Sequence, residues 1–190
     1  MPTTRTSDLE QWLAAEAVLR ESASRGPGPG IIARERALSM DGLSLMQAMM
    51  RGEVPTALVG HAMDFMLVEA ERGRAVFQGA PSMRFGNPLG GLHGGWYATM
   101  LDSALGCAVH TMMPAGRAYT TAELSVNLVR AIPLGPDVQR VRAEGQVIHC
   151  GRQLATAQAR LVGPDGTLYA HGTTTCLVFD LPAASKPASA

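Results

Sequence analysis

Hydrophobic and polar positions change rhythm three times along the chain. Over residues 8–25 (DLEQWLAAEAVLRESASR), Leu9, Leu13 and Val18 recur at helical spacing and Ser7 is placed to cap the first turn, which predicts an amphipathic helix. The GPGPG stretch at 26–30 can extend neither a helix nor a strand and reads as a linker. A short helix is predicted after Asp41 (DGLSLMQAMMRGE), stopping near Gly52 and Pro55, with its methionines packed into a core.

From Gly60 onward the period shortens to two. Runs at 62–70 and 74–80 are predicted strands of a hairpin turned by Glu71-Arg72-Gly73, and further strands are predicted at 118–131, 137–149, 153–163 and 167–179. In the first of these later runs Ala122, Leu124, Val126 and Leu128 alternate with Thr121, Glu123, Ser125 and Asn127, the pattern of a half-buried strand. Cys150-Gly151-Arg152 and Gly163-Pro164-Asp165-Gly166 supply turn residues, so the last three strands read as an antiparallel meander. Between the hairpin and these strands, residues 93–113 (HGGWYATMLDSALGCAVHTMM) carry apolar side chains nearly all round the helix axis, which predicts a helix buried on most sides.

Together these elements predict an α+β domain in which an antiparallel sheet wraps around one central buried helix, with an N-terminal helical extension. The expected boundaries are an extension and Gly/Pro linker at 1–30, the domain at 31–180 and a flexible C-terminal tail at 181–190.

Composition narrows the function classes. A chain of 190 residues with 46% hydrophobic and 17% charged residues holds enough apolar material for one core plus an extension. The 16 basic and 16 acidic side chains cancel, leaving no field to draw nucleic acid or an anionic membrane, so neither is an expected partner. Cys107, Cys150 and Cys176 are widely spaced without a CxxC pair and read as reduced thiols, and no signal-peptide or membrane-length apolar run is present, so a soluble, cytoplasmic protein is expected. His61, His110, His149 and His171 have no ligand-like spacing, so no metal is expected. Cys107 reads as a small buried hydrophobe, because nothing basic lies near it in sequence to activate a thiolate.

Candidate chemistry concentrates in residues 85–110, FGNPLGGLHGGWYATMLDSALGCAVH. His93-Gly94-Gly95 opens the buried helix, and a helix start offers unpaired N–H groups and the positive end of the helix dipole. Glycine at 94 and 95 lets a ligand come close to that backbone, the arrangement of an oxyanion hole. Asp102 lies on the same apolar helix, and its neighbours one turn away, Ala98 and Gly106, are small enough to leave room for a substrate. A lone Asp most often caps a loop or faces solvent; beside an open, glycine-lined helix start the functional reading weighs more.

These residues resemble the hotdog-fold acyl-CoA thioesterases of the phenylacetate-degradation type. The resemblance rests on Asn87-Pro88, His93-Gly94-Gly95, Leu101-Asp102-Ser103-Ala104 and Thr121-Ala122-Glu123-Leu124-Ser125-Val126-Asn127, and extends over roughly residues 40–180. It implies that Asp102 activates water or itself attacks the thioester, that the Gly94 N–H polarises the carbonyl, and that His93 and Asn87 shape that site. It also implies a Ser or Thr beside the carboxylate, for which Thr121 matches by position, with Thr120 adjacent and on the opposite strand face. Gly95 and Arg152 are the implied substrate contacts, Arg152 toward the phosphates of CoA, although a solvated turn arginine is an equal reading. No cofactor is implied. The family's assembly as dimers, often tetramers, implies that Asp102 and Thr121 of one subunit meet Asn87, His93 and Gly94 of another. Two rivals stand beside an acyl-CoA thioesterase: a non-catalytic acyl-CoA sensor, and a hydratase or dehydratase of the same fold that would pair His93 with Asp102.

Overall fold

The computed structural model describes residues 5–135 and 140–181, with side chains from Asp8. The expected tail therefore lies outside the described residues beyond Leu181, as does the expected strand start at 137–139. The chain runs α1 (Arg5–Ser24), α2 (Arg34–Ser39), α3 (Gly42–Met50), α4 (Leu58–Ala62), β1 (Phe65–Glu71), β2 (Arg74–Gly79), α5 (Gly94–His110), β3 (Arg117–Leu128), β4 (Val141–Cys150), β5 (Leu154–Val162) and β6 (Leu168–Asp180). The six strands form one antiparallel sheet in the order β1-β2-β4-β5-β6-β3, so the last three strands are the expected meander and β3 is an edge.

The sheet curls around α5, the hotdog arrangement. Trp96, Met100, Leu101 and Leu105 are fully buried against inward-facing Ala75 and Phe77 of β2, Ala143 of β4 and Ala155, Ala157 and Ala159 of β5. The alanine row brings the helix close to the sheet, and at Gly145 the two backbones touch: a Cβ there would lie 2.2 Å from the Ala104 carbonyl oxygen. Only glycine lets β4 and α5 meet at this distance. One stripe of α5, through Gly95, Thr99, Asp102 and Ser103, stays half-buried, so the helix is less enclosed than the all-round apolar pattern predicts.

Several boundaries differ from the periodicity. Residues 58–62 form α4, and Asp64 takes a left-handed conformation (φ 53°) that turns the chain into β1, so the first strand starts at 65 rather than 62. The short α2 carried no legible period. Helix α1 begins at Arg5, which puts Ser7 inside its first turn rather than ahead of it.

The side chains of α1 dock on the outer face of the sheet by a polar seam. Glu16, 3% exposed, receives hydrogen bonds from Arg20, Arg140 and Gln78 of β2. The guanidinium of Arg142 lies 4.4 Å over the Trp12 ring and donates to Gln78 (2.8 Å) and Glu69 (2.7 Å). Val18 is 64% exposed and does not belong to the docking face, which is formed around Trp12 and Glu16. The GPGPG segment is likewise held: Gly30 donates to the Thr56 carbonyl and Thr56 to the Gly28 carbonyl, both at 3.0 Å, making it a strap along the body.

Candidate active site

The loop before α5 is shaped by its own polar groups. The Asn87 side-chain oxygen accepts the N–H groups of Leu89 (2.9 Å) and Gly91 (3.2 Å), and the Asn87 N–H donates to the Gly91 carbonyl (2.7 Å). This closed turn delivers His93, whose N–H donates to the Phe85 carbonyl at 2.9 Å.

His93 caps α5. Its Nδ1 accepts the Gly95 N–H (2.9 Å), and its carbonyl accepts the Trp96 N–H (3.0 Å). Nδ1 is thereby an acceptor, which leaves the ring proton of the neutral imidazole on Nε2. Of the first three N–H groups of the helix, only that of Gly94 has no partner among the described residues. The predicted oxyanion donor is thus the N–H that capping leaves open, whereas the N–H of Gly95 is already used. An open cleft of about 350 Å³ lies alongside, lined by Met63, Phe85, Gly86, His93, Gly95, Trp96 and Thr99.

Asp102 is half-buried two turns further along α5, and the Thr121 hydroxyl donates to its Oδ1 at 3.2 Å. Thr121, not Thr120, reaches the carboxylate, and a β-bulge explains how. In the β3–β6 ladder Thr121 faces Cys176 while Glu123 faces Thr175, so Ala122 is the extra residue. Residues directly opposite share a face, so Thr121 (opposite Cys176) lies on the same face as Leu124, Val126 and Leu128 (opposite Thr174, Gly172 and Ala170). Strict alternation puts Thr121 on the other side. The alternation also predicted a half-buried strand, yet β3 is largely exposed, with Leu124 at 37% and Leu128 at 55%, at the edge of the sheet where no strand of the described residues pairs with it.

The space beside Asp102 differs from the sequence reading. Gly106 does not open room for substrate, because the Tyr119 ring fills it: a Cβ at Gly106 would lie 2.6 Å from the Tyr119 hydroxyl. Burial, with lesser contributions from Cys107, Cys176 and Asp102, holds that phenol well above its ordinary range and so neutral. Burial, reinforced by Asp102, also pushes the Cys107 thiol up to about 12, leaving it without thiolate character. Tyr119 stands two residues before Thr121 on the same face, so the period-two pattern of the strand carries the signal for it.

Arg152 is exposed on the β4–β5 turn, and its carbonyl accepts from Arg117. Both arginines line a second open groove of about 350 Å³ with Gln153, Val178, Phe179 and Asp180. Arg117 stands four residues before Thr121 on β3, or about 13 Å, so within one chain this groove is separate from Asp102. The described residues contain no cluster of three or more His, Cys, Asp or Glu suited to a metal, and the three cysteines are free. No described helix is long and apolar enough to cross a membrane.

A sequence profile described as the thioesterase superfamily matches residues 89–170, which include α5 with Asp102 and the Thr121 strand. The fold is the hotdog fold, and residues 89–170 are similar to the thioesterase superfamily. The domain is similar to a thioesterase family protein from Silicibacter pomeroyi, at 25% identity over 65% of this chain and 90% of that one, with a TM-score of 0.59. It shares its fold with the E. coli PaaI protein of the phenylacetic acid degradation operon, at 18% identity over 76% and 99% of the two chains and a TM-score of 0.63. It also shares the fold with a Streptococcus mutans protein solved with acetyl-CoA bound, at 22% identity over 63% and 92%, with a TM-score of 0.56. No curated protein sequence matches the chain.

Proposed function

We propose that this protein hydrolyses an acyl-CoA thioester, with Asp102 as the catalytic carboxylate, Thr121 orienting it, and the Gly94 N–H as the oxyanion donor. The observation that carries the reading is the presence, on one helix, of a carboxylate held by a threonine hydroxyl and of a helix-start N–H, that of Gly94, without a partner among the described residues. Negative charge develops on the carbonyl oxygen as the thioester is attacked, and a fixed N–H dipole stabilises it by roughly 3 kcal/mol. The carboxylate either takes a proton from water or attacks the carbon directly. In the first case the activated water adds to the carbonyl carbon, the C–S bond breaks and the thiolate leaves, taking up the proton as CoA; in the second the thiolate leaves as the acyl group forms a mixed anhydride on Asp102, which a water then hydrolyses to the free acid and the regenerated carboxylate.

Gly94 and Asp102 are eight residues apart on α5, a rise of about 12 Å, too far for both to touch one carbonyl. The working site therefore takes Asp102 and Thr121 from one subunit and Gly94, His93 and the Asn87 loop from another, in a dimer that pairs further into a tetramer. The exposed edge strand β3, which carries Thr121 and the half-open Leu124 and Leu128, fits such a contact. The acetyl-CoA bound to the Streptococcus protein supports a CoA thioester as substrate, and the exposed Arg152 is the residue we assign to its phosphates. The domain boundaries follow: α1 and the strap as an extension, then the thioesterase body.

The test is free-thiol release from phenylacetyl-, benzoyl-, acetyl-, hexanoyl- and palmitoyl-CoA by wild type and Asp102→Asn. Hydrolysis by wild type with a loss of at least about 100-fold in the variant is expected, in a protein of unchanged oligomeric state. Full activity in Asp102→Asn overturns the assignment. If neither protein releases thiol while CoA thioesters raise the melting temperature, the protein is a sensor instead.

A further inference from the structure

The inward row of β6 runs Ala170, Gly172, Thr174, Cys176 and Val178, all of them buried, and Thr174 carries the only hydroxyl in it. Its neighbour across β5 is Ala157, whose methyl gives it nothing to bond. At 2% exposure the hydroxyl needs a protein partner, and it donates to the Glu123 carbonyl of β3 at 2.7 Å. With that proton committed, the 3.8 Å contact between Thr174 and Cys176 Sγ has the thiol as donor. Burial raises the Cys176 thiol from its ordinary 9.0, with hydrogen bonds to Thr174 and Thr121 opposing in part, so the S–H is present to donate.

Glu123 follows the extra residue Ala122, and the two together face Thr175, so the bond from Thr174 lands on the bulge itself. Close approaches anchor β3 on either side of it. Upstream, Tyr119 Oη lies 2.6 Å from where a Gly106 Cβ would be; downstream, a Cβ on Gly172 would meet the Ser125 carbonyl oxygen at 2.5 Å. Between these anchors the alternation of the strand shifts once, and the place of the shift decides what meets Asp102. With the extra residue at 120 or 121, Ala122 would stand opposite Cys176 and Thr121 would leave the inward row. With it at 122, Thr121 stands opposite Cys176 and its hydroxyl reaches Asp102 Oδ1 at 3.2 Å.

We infer that Thr174 is a positioning residue for the hydrolysis: its hydroxyl fixes the bulge at Ala122 and thereby holds Thr121 on Asp102. The inference rests on the thioesterase reading above and deepens it. Glu123, Thr174, Cys176, Thr121 and Asp102 all belong to one chain, so these contacts stand before any second subunit arrives.

The experiment takes the ester that wild type hydrolyses fastest among phenylacetyl-, benzoyl-, acetyl-, hexanoyl- and palmitoyl-CoA. It measures kcat and KM for wild type, Thr174→Val, Thr174→Ser, Thr121→Val and the double variant Thr121→Val/Thr174→Val, with melting temperature and oligomeric state of each. Valine keeps the branched shape and removes the hydroxyl; serine keeps the hydroxyl and removes the methyl. Thr174→Val should lower kcat by on the order of tenfold with KM within about twofold, because the catalytic pair is displaced while the substrate contacts remain. Thr174→Ser should keep kcat within about threefold of wild type. Because Thr174 acts through Thr121, the double variant should be no slower than Thr121→Val alone, within about twofold. Should Thr174→Val fail to fold, Thr174→Ala against Thr174→Ser carries the same comparison. Wild-type kcat in Thr174→Val, equal losses in the valine and serine variants, or losses that multiply in the double variant overturn the role of Thr174 alone. Full activity in Thr121→Val overturns the role of Thr121, and a wild type that releases no thiol from any ester overturns the hydrolase reading; either takes this inference with it.

Discussion

Gly145→Ala should be among the most damaging single methyls in the domain body. The added Cβ would lie 2.2 Å from the Ala104 carbonyl oxygen, 2.5 Å from its carbon and 3.0 Å from the Leu105 nitrogen, all backbone atoms, so no side chain can swing aside. Ordinary contact begins near 3.4 Å, so β4 and α5 must part by about 1.2 Å, a gap that forfeits a quarter or more of the dispersion energy along their contact. Overpacking a core costs typically ~1–3 kcal/mol, and a backbone-on-backbone clash belongs at or above the upper end, about 3 kcal/mol. For a chain of this length that is a fall in Tm of roughly 6–12 °C. Ala104 is two residues from Asp102, so the displaced helix should also pull the carboxylate from its 3.2 Å contact with Thr121 and lower kcat. Thermal and urea denaturation at one fixed protein concentration, with thiol release alongside, measure both effects. Gly135→Ala is the control, because a Cβ there meets nothing within 4 Å among the described residues and its φ is not in the left-handed region; it should stay within about 0.5 kcal/mol of wild type. A Gly145→Ala protein melting within about 2 °C of wild type would refute the claim that the two backbones are in contact.

Two further tests concern buried charge. Burial alone would raise the Glu16 carboxyl, but hydrogen bonds from Arg140, Arg20 and Gln78 outweigh it and hold it below its ordinary 4.5; the ionised seam is therefore at full strength above that pH and fades as pH falls through the lower native value. Glu16→Ala should cost about 1–3 kcal/mol, discounted because the Arg20 head is half exposed, and should speed proteolysis between α1 and α3; equal protection in wild type and variant at pH 7 would contradict the seam. Burial lowers the His110 imidazole from its ordinary 6.5, with Asp41 opposing in part, so the native state prefers it neutral and stability should be full above pH 6.5 and decline on acidification below it. Urea midpoints between pH 7.5 and 5.5 should fall for wild type and flatten for His110→Gln; parallel slopes would remove His110 from the account.

The body of the fold was legible because its signals are strong and local. Residues 93–113 are too apolar for a surface helix, and Gly-Pro-Asp-Gly and Cys-Gly-Arg mark the meander turns without help from tertiary contacts. The candidate site was legible at Gly94 and Asp102 for the same reason: a glycine pair at a helix start and a carboxylate on an apolar helix are conspicuous in the chain itself. What escaped depends on partners distant in sequence. Gly106 reads as open space unless Tyr119 is known to lie over it, and Glu16 reads as a solvated charge unless Gln78 and Arg140 are seen to face it. The exposure of β3 follows from its place at the sheet edge, and strand order is not written in the alternation of one strand. Helices of five and six residues, such as α4 and α2, are too short for a period to register.

The bulge at Ala122 makes β3 a strand with two reading frames. Upstream, odd-numbered residues look inward and supply the polar contact to Asp102; downstream, even-numbered residues look inward and supply the apolar edge. Substitutions on either side can therefore accumulate independently, since neither half constrains the parity of the other. A change in length between them is a different matter: losing Ala122 would merge the frames into one regular strand that still keeps Thr121 and Leu124 inward, whereas one added residue would need a larger bulge or turn the two halves to opposite faces. Lineages of this domain should accordingly tolerate the loss of that residue more readily than a gain.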